Sequence, residues 1–281
     1  MTSNVKKELL LEERKEVSLK ILKEIDRVCR KYDITYYLAY GTLIGAVRHK
    51  GFIPWDDDID LWVMWKDYYR LIDALEKETG YEIINDRKDR MYPLLFTKVS
   101  DPETAIEKVS KKKGDFRRGI GVDIFPLCVY EDSKRFRRRH TFLLIPNKVI
   151  CQSKMLRGKP DKSLRDKVAI IGCKAASTVG LGDRFWKKRL ESWLAHNRQK
   201  EGGLVFNPYS PYKWRDVHRA EDFERTVELP FEDSSFMAPA GYDRILTEIY
   251  GDYMQLPPVE KRNSGHDVIA YRIEKEADAE K

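Results

Sequence analysis

The stretch YGTLIGAVRHKGFIPWDDDIDLWV, residues 40–63, decides how the rest of the chain is read. It opens on Gly41-Thr42 and passes Arg48, His49 and Lys50 in a row. It then sets four carboxylates, Asp56, Asp57, Asp58 and Asp60, within five positions. The tail Ile59-Asp60-Leu61-Trp62-Val63 is apolar and β-branched enough to be a buried strand. Side chains alternate along a strand, so Asp56, Asp58 and Asp60 share one face and Asp57 points away. Carboxylates this close repel unless a cation sits among them, and a hard divalent metal is the usual answer.

Three other readings compete with a metal. A solvated acidic turn would explain Asp56 to Asp58, but Asp60 lies between Ile59 and Leu61, where an unpaired charge is costly. An EF-hand loop shares the Asp-x-Asp-x-Asp start, yet Leu61 stands where glycine is needed and Asp67 where a bidentate glutamate belongs. A structural ion-pair cluster with Arg48 and Lys50 stays open.

Working outward, residues from about Val5 to Lys31 have helical spacing, with Ile21, Leu22, Ile25, Val28 and Cys29 on one face. Ile34 to Ala39 reads as a short strand ending at Gly41. Thr42 is placed to cap a helix from Leu43 to about His49, and free N–H groups at such a helix start form a seat for phosphate. After the aspartates, Lys66 to about Thr79 is an amphipathic helix burying Tyr69, Leu71, Ile72 and Leu75. Tyr92 to Val99 is predicted as a strand, and Thr104 to Ile106 as its return. The basic loop Lys111 to Arg118 leads into Gly121 to Leu127, where Asp123 is the only charge and needs a partner.

Beyond Glu131 the chain turns helical and basic. The run Arg135 to Arg139 reads first as a solvated helix face and second as a contact for anionic lipid head groups. Val168 to Leu181 is predicted as a core helix. Val227 to Phe231 reads as an edge strand, followed by a helix over Tyr242 to Tyr250 that ends at Gly251.

The segment GTLIGAVRHKGFIPWDDDID, residues 41–60, resembles the signature of the LicD-type phosphocholine transferase family. That family includes fukutin-like relatives and belongs to the nucleotidyltransferase (polymerase β-like) superfamily. GVDIFPL, residues 121–127, is similar to its second motif, and MAPAGYDRILTEIYGDYMQLPPVEKR, residues 237–262, to its C-terminal block. The stretch from about Glu131 to Gly202 has no such support.

The resemblance implies an α/β (α+β) fold, a mixed sheet flanked by helices with a helical insert. Residues 1–130 would be the catalytic core, 131–202 the basic insert and 203–281 a block packed on the core. It also implies Mg²⁺ or Mn²⁺, two ions, with Asp58 and Asp60 as shared ligands and Asp56 and Asp123 flanking them. Asp123 would also take a proton. Gly41, Thr42, Arg48 and Lys50 would hold phosphate, and His266 and Trp55 would touch substrate, with Trp62 and Trp65 further candidates for a quaternary ammonium. The donor would be a CDP-alcohol, CDP-choline in the best-known members. The acceptor would be a sugar hydroxyl on a lipid-linked saccharide, lipopolysaccharide or teichoic-acid precursor, and CMP would leave. A nucleotidyltransferase of the same fold and a non-catalytic binder of anionic lipid or nucleic acid are the rival readings.

Composition sets the bounds. The chain has 281 residues, 42% apolar and 35% charged, which is a globular composition. Its 53 basic and 46 acidic side chains leave +7, which suits anionic ligands or an anionic membrane face. No nucleic-acid partner is expected, because aromatic residues are not interleaved with the arginines. Cys29, Cys128, Cys151 and Cys173 are scattered, with no zinc or redox spacing, as in a reducing compartment. The start lacks the pattern of a signal peptide, and no apolar run reaches about 18 residues. The expectation is a soluble cytoplasmic protein that can work at the inner face of the membrane.

Overall fold

The computed structural model describes residues 6–89, 92, 94–108, 119–130, 133–156, 163–196, 203–210, 212, 215–263 and 268–273. The chain forms a mixed sheet with helices packed on it. The order is β2 (Tyr36–Leu38), β3 (Ile59–Met64), β7 (Gly121–Tyr130), β5 (Thr97–Ser100) and β4 (Glu82–Ile84). Strands β3 and β7 run parallel at the centre, and their other neighbours are antiparallel. The far half of β7 also pairs with β8 (Leu204–Phe206), which pairs in turn with β9 (Val217–Arg219). Strand β4 was not predicted, and the strand expected from Tyr92 begins only at Thr97.

Helices α1 (Leu11–Lys31) and α3 (Trp65–Glu78) lie against this sheet. The first buries the expected stripe from Ile21 to Cys29. In α3 the buried tyrosine is Tyr68 rather than Tyr69, because its hydroxyl reaches Thr97 Oγ1 on β5 at 2.8 Å. The helix predicted from Val5 starts six residues later. Glu13 accepts the Leu10 N–H at 2.9 Å and fixes the start there, with Glu12 and Glu13 favouring the positive end of the helix.

The residues ahead of that start form β1 (Lys6–Leu9), which pairs with β12 (Val268–Ile273). On the other side of β12 lies β6 (Thr104–Lys108). The strand predicted to return beside β5 therefore belongs to a separate three-stranded sheet. The predicted basic loop, Lys111 to Arg118, lies outside the described residues.

Three helices follow β7: α4 (Lys134–Leu156), α5 (Leu164–Thr178) and α6 (Asp183–His196). Phe136 and Leu143 of α4 and Leu190 and Leu194 of α6 pack with Tyr130, Phe206 and Tyr209 into a second apolar cluster. The prediction for Val168 to Leu181 is overturned. Helix α5 packs on α4, and Val168 and Ile171 are 63% and 67% exposed. Among the described residues no helix is long and apolar enough to cross a membrane.

In the C-terminal part, β10 (Thr226–Phe231) and β11 (Ser234–Pro239) form a hairpin that packs on β2, followed by α7 (Tyr242–Tyr250). The hairpin turn holds the loop ahead of the aspartates. Glu232 donates its N–H to Lys50 O at 2.8 Å, and its carboxylate accepts the Phe52 N–H at 2.9 Å.

Candidate active site

Helix α2 (Tyr40–Ile44) starts at Tyr40, which has a left-handed φ of 46°, and runs into a π-helical turn, Gly45–His49. Thr42 therefore sits inside the helix and does not cap it. Its buried hydroxyl accepts the Asp60 N–H at 2.9 Å, while Asp60 O accepts the Ala39 N–H at 2.9 Å. These bonds set β3 and α2 in fixed register at Asp60. Gly41 lies against the acidic loop, where a Cβ would stand 2.9 Å from Asp56 Oδ2.

Asp56, Asp57 and Asp58 lie in irregular chain ahead of β3, so strand alternation does not set their faces, and Arg14 Nη1 donates to Asp57 Oδ2 at 2.7 Å. Asp60 and Asp123 are register partners on the parallel strands β3 and β7. Across β7, Lys98 is the partner of Asp123, and its ammonium lies 2.6 Å from Asp123 Oδ1. The carboxylate whose need for a cation was read as pointing to a metal is met here by a lysine. Burial and the neighbouring Asp58 push Asp56 up to about 8. Burial, Asp58 and Asp123 hold Asp60 well above the ordinary carboxylate range, with Lys98 opposing them.

The donor set has the chemistry of a hard-cation site. It is all oxygen, Asp58 raises the proton affinity of both Asp56 and Asp60, and Asp60 accepts no side-chain hydrogen bond from the described residues. Among the described residues, however, no three His, Cys, Asp or Glu side chains are arranged to hold one metal ion. Asp56, Asp58 and Asp60 fit such an ion by chemistry, and Asp123 less well because Lys98 already compensates its charge.

Comparison with known proteins decides the family. Residues 33–156 match the family model described as "LicD/FKTN/FKRP, nucleotidyltransferase domain". The chain is also 30% identical to the lipopolysaccharide cholinephosphotransferase LicD of Haemophilus influenzae, over 94% of its own length and 99% of that protein. The chain belongs to the LicD family. Shorter matches, 38% identical over 80 and 77 residues, join it to the uncharacterized proteins RT0683 of Rickettsia typhi and RP689 of Rickettsia prowazekii.

The remaining residues that the LicD signature singled out divide into two groups. Gly41 and Thr42 lie against the aspartates. Arg48 turns to the C-terminal part, where Nη1 donates to Tyr253 O and Nε to His49 Nε2 at 2.9 Å. Lys50 is exposed and donates to Val47 O at 3.1 Å. Trp55 is half-buried beneath the Arg262 guanidinium, 5.5 Å from the ring centre. Trp62 is fully buried, and Trp65 stacks on Tyr68. His266 lies outside the described residues.

A second network, centred on His218, lies beside the aspartates. The Tyr40 hydroxyl donates to Asp216 and accepts from Asn207 Nδ2 at 2.9 Å. Asp216 Oδ1 meets His218 Nε2 at 2.9 Å, and His218 Nδ1 meets Glu248 Oε2 at 3.1 Å. Burial alone would lower the His218 pKa, but these two carboxylates outweigh it and the value is raised. The Tyr212 ring packs against Tyr40 and Tyr250, and burial raises both Tyr212 and Tyr250, with Asp60 adding to each. Asp216 and His218 stand two apart, the spacing that puts strand side chains on one face, which was the only local signal.

Proposed function

We propose that this protein transfers phosphocholine, or another alcohol phosphate, from a CDP-alcohol to a sugar hydroxyl of a cell-surface glycan and releases CMP. The observation that carries this reading is the near full-length likeness to a lipopolysaccharide cholinephosphotransferase in a chain that sets Asp60 beside Asp123 at the α2–β3 junction. We take the mixed sheet to be the nucleotidyltransferase sheet named by the matching family model.

In the transfer, the acceptor oxygen bonds to the phosphorus bearing the alcohol, and the bond from that phosphorus to the CMP oxygen breaks. The hydroxyl proton passes to a carboxylate of this acidic cluster. Asp58 and Asp60, with Asp56 beside them, would hold Mg²⁺ or Mn²⁺. When bound, such a cation offsets the charge of the donor diphosphate and of the departing CMP. Gly41 keeps the start of α2 close to the acidic loop. Tyr212, partly exposed and near Asp60, offers the alcohol end an aromatic surface.

Purified protein with Mg²⁺ or Mn²⁺ is expected to release CMP from CDP-choline, CDP-ribitol or CDP-glycerol when a glycan acceptor is added. Mass spectrometry of the acceptor identifies the bond that breaks. Gain of an alcohol phosphate supports the proposal, whereas an attached nucleoside monophosphate, or no CMP from any donor, rejects it.

A further inference from the structure

Eight of the thirteen large apolar side chains that stand exposed among the described residues fall between 142 and 181. Scattered single residues need no explanation, but a concentration like this marks a surface that is covered in use. Helix α5 has two apolar sides. The inner one turns Cys173 to the protein. The outer one carries Leu164, Val168 and Ile171 at i, i+4 and i+7, with Val179 continuing the line, at 78, 63, 67 and 71% exposure. Neighbouring α4 adds Phe142, Ile145 and Val149 at i, i+3 and i+7, 46–59% exposed.

Charge decides what covers these stripes. On a helical projection Lys167 and Lys174 border the α5 stripe on one side and Arg165 on the other, all three exposed, while Asp166 falls opposite. At the start of α4, Arg135, Arg138 and Arg139 are exposed, and the Arg139 guanidinium lies 5.9 Å from the Phe142 ring centre. Residues 134–182 hold thirteen lysines and arginines against two aspartates. The chain totals of 53 basic and 46 acidic residues therefore leave the rest of the protein net acidic. A second copy would bring this basic surface against itself. Apolar stripes edged by lysine and arginine, on helices that cannot span a bilayer, match a surface of anionic lipid.

We propose that the outer face of α4 and α5 is a docking surface for an anionic membrane, with the apolar stripes at the acyl boundary and the basic side chains among the head groups. The proposal does not rest on the transfer reading, and its test uses no substrate. The full chain is sedimented with extruded vesicles of phosphatidylglycerol and phosphatidylethanolamine, and separately with neutral phosphatidylcholine vesicles, at 50 and 500 mM salt.

Binding to the anionic vesicles at low salt is expected, at least tenfold weaker on neutral ones and weakened by salt. The variant R165Q/K167Q/K174Q should lose about tenfold. The variant V168E/I171E should lose as much while keeping the wild-type melting temperature. Leu164→Glu, at the most exposed position and in the first helical turn where a carboxylate is favoured, is a second stripe variant that does not threaten folding. Equal binding to neutral vesicles, or wild-type binding by folded stripe variants, overturns the proposal. So does a wild-type dimer, seen by sedimentation velocity, that the stripe variants dissociate.

Discussion

At the scale of single residues, the acidic cluster makes stability depend on pH. Asp56 is pushed up to about 8, and Asp60 is held well above the ordinary carboxylate range by burial and by Asp58 and Asp123. Between the ordinary carboxylate range and about 8 the folded chain thus binds more protons than the unfolded one, so stability falls as pH rises through that window. His218 acts in the same direction, because its raised value gives stability present below its ordinary pKa and lost as pH rises through the folded one. Without divalent metal, the melting temperature should drop by several degrees from pH 6 to pH 8.5. Asp60→Asn should flatten that drop and raise the pH 8.5 melting point, while lowering CMP release by at least about 100-fold. Adding Mg²⁺ or Mn²⁺ should raise the melting temperature at pH 8.5 more than at pH 5.5, and no metal effect at either pH would count against the proposed ion. Tyr212→Ala should raise KM for CDP-choline more than for CDP-ribitol, since only choline carries a permanent cation for an aromatic face. The acidic run was legible in the sequence, but the alternation read across it does not hold, because β3 begins only at Ile59. Lys98 was not legible, because only the pairing of β5 with β7 brings it to Asp123.

At the scale of elements, the start of α2 is where local preference and site geometry conflict. Tyr40 takes a left-handed φ that a bulky residue rarely adopts, and the hydrogen bonds of its hydroxyl to Asp216 and Asn207 fix the other end of the side chain. Tyr40→Phe leaves the buried Asp216 without one donor and should cost about 1–3 kcal/mol, read from denaturant midpoints. Gly41→Ala tests the neighbouring position. Alanine is the better helix former by roughly 1 kcal/mol, so stability should hold or improve. The added Cβ nevertheless displaces the Asp56 carboxylate, and turnover should fall about tenfold or more. An unchanged turnover would show that Asp56 has no part in the reaction. The sequence made the helix and its Gly-Thr start visible but assigned Thr42 to a cap. The hydroxyl's real partner, the Asp60 N–H, lies eighteen residues on and could be seen only in the fold.

At the scale of the whole molecule, distant segments are joined by strands whose pairing no local pattern announces. Both strands of the pair β3–β7 were visible as apolar runs interrupted by one aspartate, but their parallel pairing was not. The insert helices were legible from composition, but the outward face of α5 was not, since an apolar helix reads the same whether protein or something else covers it. Least visible was the sheet β1–β12–β6, where residues 6–9 and 104–108 meet the two edges of one strand near the C-terminus. Its central strand places Ala270, 1% exposed, between Leu9 and Ile106. Proline at that position removes the backbone N–H and crowds a strand paired on both sides, which central strands do not tolerate. Ala270→Pro should therefore lower the melting temperature, by roughly 2–4 °C for each kcal/mol lost in a chain of this size. It should also speed tryptic cleavage after Lys6, Lys7 and Lys108 by about tenfold. Asp60, Asp123 and Lys98 belong to the other sheet, so CMP release at 25 °C should stay within about twofold of wild type. Loss of turnover in step with stability would instead show that the two sheets act as one unit in forming the site.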